Sequence, residues 1–98
     1  MNYNLIVLTE AKIDIVENYS WYKNINTSLA KRFLNSVKSS IKSIKSNPYQ
    51  FQIRYDKTRV DLIETFPFLI HFDIQENDII IKAIFHTSRD SSIWKNRI

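Results

Sequence analysis

Two hydrophobic periods divide the chain, with the change at Asn47-Pro48. At the start, Tyr3, Leu5 and Val7 alternate with Asn2 and Asn4, which predicts a strand over residues 3–8. Thr9 then reads as an N-cap, with Glu10 favourable at the positive end of a helix. That helix is expected to run to about Lys23, with Ala11, Ile15, Tyr19 and Tyr22 along one side. Ile13, Val16 and Trp21 fall elsewhere on its circumference, so it is apolar over more than one face and has material for a second contact. Asn26 or Thr27 caps a second helix that continues to about Ser46. Its buried stripe is Ala30, Phe33, Leu34, Val37, Ile41 and Ile44, beside a narrower stripe of Lys31, Lys38, Lys42 and Lys45. The short link between the two predicts an antiparallel helical hairpin.

After Pro48 the period becomes two. Phe51, Ile53 and Tyr55 alternate with Gln52 and Arg54, and Val60, Leu62 and Glu64 with Arg59, Asp61 and Ile63. Asp56-Lys57 is the turn between these strands. Phe68 to Ile74 and Ile79 to His86 are the last two strands, joined at Glu76-Asn77-Asp78. The fold class is therefore α+β: an N-terminal strand and a helical hairpin packed on one face of an antiparallel β-meander, in a single domain over 1–98.

Strand parity extends this to register. If Phe68, Ile70, Phe72 and Ile74 face the helices, Leu62 lies opposite Ile70, Val60 opposite Phe72 and Ile53 opposite Val60. Arg54 then pairs with Arg59, and Lys82 with His71, and His86 shares the parity of Lys82. The open face is expected to gather Arg54, Arg59, Asp61, His71, Asp73, Lys82 and His86.

Composition narrows the chemistry. Cysteine is absent, which excludes disulfides, thiolate metal sites and a cysteine nucleophile. Glycine is absent too, which excludes P-loops, dinucleotide-binding fingerprints and nucleophile elbows; no cofactor is expected. Left-handed turn positions must then fall to Asn or Asp, as at Asn24, Asn47 and Asn77. The first residues lack a basic region ahead of their apolar run, and no run reaches the ~18 apolar residues of a membrane span, so a cytoplasmic protein without membrane contact is expected. Net charge is +4, and the basic excess lies between Lys31 and Arg59, where five lysines and three arginines face Asp56 alone. Such a block suits a polyanion or an acidic partner, or is a solvated helix face.

Two arginines opposed across a hairpin repel unless an anion or a carboxylate lies between them. Arg54, Arg59, Lys82, Arg89 and Arg97 are the candidate anion- or target-binding residues. For metal-free RNA cleavage, His86 or His71 would move protons while the arginines held the phosphate. His71, between Asp61 and Lys82, reads more simply as a neutral or salt-bridged histidine, and Trp94 as an anchor for the C-terminal tail. Two histidines and scattered acids show no metal-ligand spacing, so no metal is expected.

The order and spacing of certain residues also resemble a known family over nearly the whole chain. They are Ala11 with Ile15, Trp21-Tyr22, Arg32-Phe33, Asn47-Pro48, Arg59, Phe66-Pro67-Phe68, Ala83-Ile84-Phe85-His86 through Arg89-Asp90, then Trp94 and Arg97. Together these resemble the RelE/ParE superfamily of toxins from type II toxin–antitoxin, or plasmid stabilisation, systems. The resemblance implies a cognate antitoxin that wraps and neutralises the toxin, and one of two targets. RelE-like members cleave mRNA on the ribosome, and ParE-like members inhibit DNA gyrase. On the first reading His86, Arg59 and Arg89 would be catalytic. The lysine-rich strand and C-terminal tyrosine of RelE-type sites have no clear counterpart here, which favours the gyrase branch; an inactive or structural interaction module is the third reading. For the antitoxin, Ile13, Val16 and Trp21 with Lys38 and Lys42 are the expected contact residues, suited to an acidic amphipathic helix.

Overall fold

A computed structural model describes residues 2–88. It contains β1 (Asn4–Val7), α1 (Thr9–Ile25), α2 (Thr27–Ser46), a 3-10 turn at Pro48–Gln50, β2 (Ile53–Tyr55), β3 (Thr58–Leu62), β4 (Phe68–Gln75) and β5 (Asp78–His86). The strands form one sheet in the order β1-β5-β4-β3-β2. All neighbours are antiparallel except β1, which runs parallel to β5 with Asn4 opposite Asp78 and Val7 opposite Ile81. This is the expected α+β layout.

The helix boundaries follow from a few polar groups. Leu8, not Thr9, is the N-cap of α1, and no side chain caps that end. The Leu8 N–H still donates to the Ile81 carbonyl at 3.0 Å, so the chain passes from strand to helix without a spare residue. Asn26 ends α1 and begins α2: its N–H donates to Tyr22 O, and its Oδ1 accepts from Leu29 N at 3.2 Å. A one-residue link of this kind forces the two helices antiparallel. Pro48 begins the 3-10 turn that stops α2.

The larger core lies between the hairpin and the sheet. Phe33, Val37 and Ile44 of α2 meet Phe68, Ile70 and Phe72 of β4 and Ile79, Ile81 and Ile84 of β5. Phe33, Phe66, Phe68 and Tyr22 form an aromatic cluster with centroids 5.1–5.5 Å apart along its closest contacts, edge-to-face except for the tilted Tyr22–Phe33 pair. A smaller cluster, Val60, Leu69, Ala83 and Phe85 with Tyr55, occupies the opposite face of the sheet.

The register differs from the expectation in both strands that flank β4. Val60 lies opposite His71, Asp61 opposite Ile70, Leu62 opposite Leu69, and Ile53 opposite Arg59. The one-residue difference inverts β3, so Arg59 and Asp61 face the hairpin side while Thr58 and Val60 face away. Its cause is the β3–β4 connection, where Ile63 turns into the core and donates to Phe68 O. In β5, Ala83 opposes His71 and Ile81 opposes Phe72, leaving Lys82 as the extra residue of a β-bulge. The bulge flips everything after it, so His86 opposes Phe68 on the hairpin side rather than sharing the face of Lys82. Left-handed backbone occurs at Asp56, Thr65 and Glu76, not at Asn24, Asn47 or Asn77.

Candidate functional site

The sheet face turned away from the helices carries a buried polar network. Lys82 Nζ donates to Thr58 Oγ1 at 2.9 Å, Thr58 Oγ1 donates to Asp73 Oδ1 at 2.6 Å, and Lys82 Nζ lies 3.5 Å from Asp73 Oδ2. Beside it, the Tyr55 hydroxyl and His71 Nδ1 are 3.0 Å apart, and Lys82 Nζ sits 5.7 Å from the Tyr55 ring centroid. The bulge is what turns Lys82 inward onto this face. Thr58 and His71 are fully buried. Burial raises the Tyr55 pKa, opposed by its hydrogen bond with Thr58 and assisted by Asp73 and Asp56. The sequence reading named Lys82, His71 and Asp73 for this face but missed Tyr55 and Thr58, which carry no charge to attract notice.

The remaining candidate cations do not join them. Arg59 donates to the Phe51 carbonyl and stacks over the Tyr49 ring at 5.1 Å, on the hairpin side. Arg54 is exposed on β2 and is not opposed to Arg59. His86 packs edge-on against Phe68, 5.3 Å between centroids. Its Nδ1 accepts the Ser88 N–H at 3.1 Å and lies 2.7 Å from Ser88 Oγ, which places the neutral ring's proton on Nε2. Arg59 pairs with Phe72 and His86 with Phe68, so they stand ~13 Å apart along β4, on strands to either side of it. Asp61, also on the hairpin side, accepts from Ser40 of α2; burial raises its pKa and this hydrogen bond lowers it. Arg89, Asp90, Trp94 and Arg97 lie outside the described residues.

The hairpin presents a different surface. Ile13, Val16, Trp21 and Ile25 of α1 are 48–63 % exposed, large apolar side chains on the outside of the domain. A groove of about 200 Å³ between the helices is lined by Ile15, Val16, Tyr19, Ser20 and Leu34. Lys31 and Lys38, both exposed, lie one turn to either side of Leu34 on α2, with Lys42 exposed one turn beyond. On the other flank of α1, Asn18, Trp21, Tyr22, Phe68 and His86 line a second cavity of about 300 Å³.

The sequence matches the model of the family described as the ParE toxin of the type II toxin–antitoxin system parDE, over residues 5–91. The chain belongs to the ParE toxin family. Among solved structures, the chromosomal ParDE toxin–antitoxin system from P. aeruginosa is similar, with a TM-score of 0.76 at 19 % identity over 86 % of this chain and 95 % of that one. At that identity the likeness is one of fold. No curated protein matched the sequence. As a ParE-family toxin the chain carries the strand, hairpin and meander described above, and none of its described helices is long and apolar enough to cross a membrane.

Proposed function

We propose that this ParE-family toxin arrests growth through DNA gyrase without cutting RNA, and that a cognate antitoxin neutralises it at the helical hairpin. The observation that carries the first half is the state of the acid–base side chains. Metal-free RNA cleavage needs a base, an acid and cations converging on one phosphate. On the face away from the helices, His71, Lys82 and Asp73 are sealed into contacts with Tyr55, Thr58 and one another. The cleavage candidates Arg59 and His86 lie on the hairpin side and far from each other. This arrangement favours a binding toxin over the ribosome-dependent mRNA endonuclease of the RelE branch.

The second half rests on α1. A helix with apolar residues all around it is normally covered on all sides. Here Ile13, Val16 and Trp21 are bare, and the groove beside Val16 is flanked by Lys31 and Lys38. Apolar knobs with an acidic border suit that groove, which describes an acidic amphipathic helix.

The test is expression of the toxin alone and together with the neighbouring reading frame. Growth arrest with transcripts that remain uncut on primer extension, relieved by the neighbour, is the expected result. Ribosome-dependent cleavage of transcripts would overturn the gyrase reading, and arrest that no neighbouring product relieves would overturn the antitoxin reading.

A further inference from the structure

The outward side of α2 carries one kind of chemistry. Its exposed residues are all lysine, arginine, serine, threonine or asparagine, with no acid and no apolar side chain among them. At ~100° and ~1.5 Å per residue, Lys31, Lys38, Lys42 and Lys45 fall within ~60° of one another and form a row ~21 Å long. Arg32, Asn35 and Ser39 stand beside the row, on the side away from the α1–α2 groove. Among the described residues none of these five cations is in an ion pair, and Asp61 meets α2 on its buried side, at Ser40.

A helix face that is merely solvated mixes signs, because Glu and Lys four residues apart support the helix while like charges at that spacing weaken it. Lys38 and Lys42 are such a like-charge pair, with Lys45 one turn further on, so the row gains from an external anion. A membrane surface needs apolar side chains beside the lysines to enter the acyl boundary, and this face has none. Single-stranded nucleic acid needs aromatic platforms for its bases, and these too are missing from it. The backbone of a duplex needs only cations and hydrogen-bond donors, which Lys, Arg, Ser and Asn supply. With one phosphate charge per ~1.7 Å of duplex axis, a row of ~21 Å runs along about six base pairs. Lys42 and Lys45 continue it beyond the groove-flanking Lys31 and Lys38, so an acidic helix in the groove does not account for the whole row.

We propose that the toxin binds the phosphate backbone of duplex DNA along the lysine row of α2, without reading base sequence. Charge complementarity over the length of the row carries this. The choice of DNA over an RNA duplex rests on the gyrase reading above, since gyrase works on duplex DNA, and the toxin is then held to the DNA as well as to the enzyme.

The test is fluorescence anisotropy of a labelled DNA duplex of about 20 base pairs and mixed sequence, titrated with purified toxin between about 50 and about 200 mM salt. Contact with four to five phosphates gives a slope of log affinity against log salt of about −4, a loss of ~250-fold over that range. Toxin carrying Lys38→Gln with Lys42→Gln is expected to show a slope of about −2 and at least tenfold weaker binding at the lower salt. Toxin carrying Lys12→Gln with Lys23→Gln, which removes the same charge from exposed positions of α1, is expected to lose less than threefold. Absence of binding at the lower salt would overturn the proposal. Equal losses in the two double variants would also overturn it, by making the effect one of net charge. So would binding at least tenfold tighter to an RNA duplex or to the single strand of the same sequence. Inhibition of supercoiling by a toxin that binds no DNA sinks this inference and leaves the gyrase reading standing. DNA binding by a toxin that leaves gyrase active does the reverse.

Discussion

Substituting Lys82 by Met keeps most of the aliphatic stem and removes the charge that closes the network on the far face of the sheet. At 3.5 Å the ammonium and the Asp73 carboxylate attract by roughly 5 kcal/mol at an effective dielectric near 20. Desolvating the two ions costs several kcal/mol each, so the intact pair contributes little net stability. Breaking it is another matter. With Lys82 gone, a carboxylate whose side chain is only 13 % exposed keeps the Thr58 hydroxyl as its remaining partner in the network. Removing one member of a buried pair costs ~3–5 kcal/mol, and the residual exposure of Asp73 places this case near ~3 kcal/mol. For a domain of this size that is a drop of ~12 °C or more in Tm. Urea unfolding followed by circular dichroism measures it directly. The triple variant K82M/T58V/D73V removes donor, relay and acceptor together and is expected within ~1 kcal/mol of the parent. A Lys82→Met cost below ~1 kcal/mol, or a triple variant no more stable than the single one, would show that an unpaired buried carboxylate is not what destabilises the variant.

Asp61 has a pKa raised by burial, so its ionised form is disfavoured in the fold. The folded state then binds more protons than the unfolded one, and the penalty grows as pH rises from the ordinary aspartate value through the raised one. Asp61→Asn is expected to be at least as stable as the parent at pH 7, with the gap closing on acidification; a gap that widens toward low pH would contradict this. Thr65 is β-branched at φ 77°, a conformation that favours Gly or Asn. Thr65→Asn should raise stability by about 1 kcal/mol in the same urea assay, and a loss of stability would show that the hydroxyl or methyl matters more than the backbone. Val16→Asp introduces a like charge where an acidic partner is expected and is exposed enough to fold normally. It should weaken antitoxin binding at least tenfold by calorimetry while leaving toxicity intact, and unchanged affinity would remove the groove from the interface.

Elements were legible in the sequence because their signals are local. The switch in period at Asn47-Pro48, the amphipathic stripe of α2 and the bare apolar residues of α1 each depend on neighbours within a turn or two. The faces of β3 and the end of β5 were not, because parity counts residues and one extra residue inverts it. Nothing in Ile81-Lys82-Ala83 marks a bulge: each residue suits a strand, and the inward turn of Lys82 is stabilised by Thr58 and Asp73 on two other strands. The connection from Ile63 to Phe68 hid the second slip in the same way, with its left-handed residue at Thr65, a poor candidate by composition. The cavity at His86 escaped notice because Asn18 and Tyr22 come from α1 and Phe68 from β4, far apart in sequence. The resemblance in residue order reached the family without needing any of these contacts.

The proposed inhibition of gyrase by a binding toxin is read most plainly in a supercoiling assay with purified gyrase, relaxed plasmid and micromolar toxin. Loss of supercoiling, restored by adding the antitoxin, is the expected result. Full supercoiling activity at micromolar toxin, from protein that stops growth in cells, would contradict it.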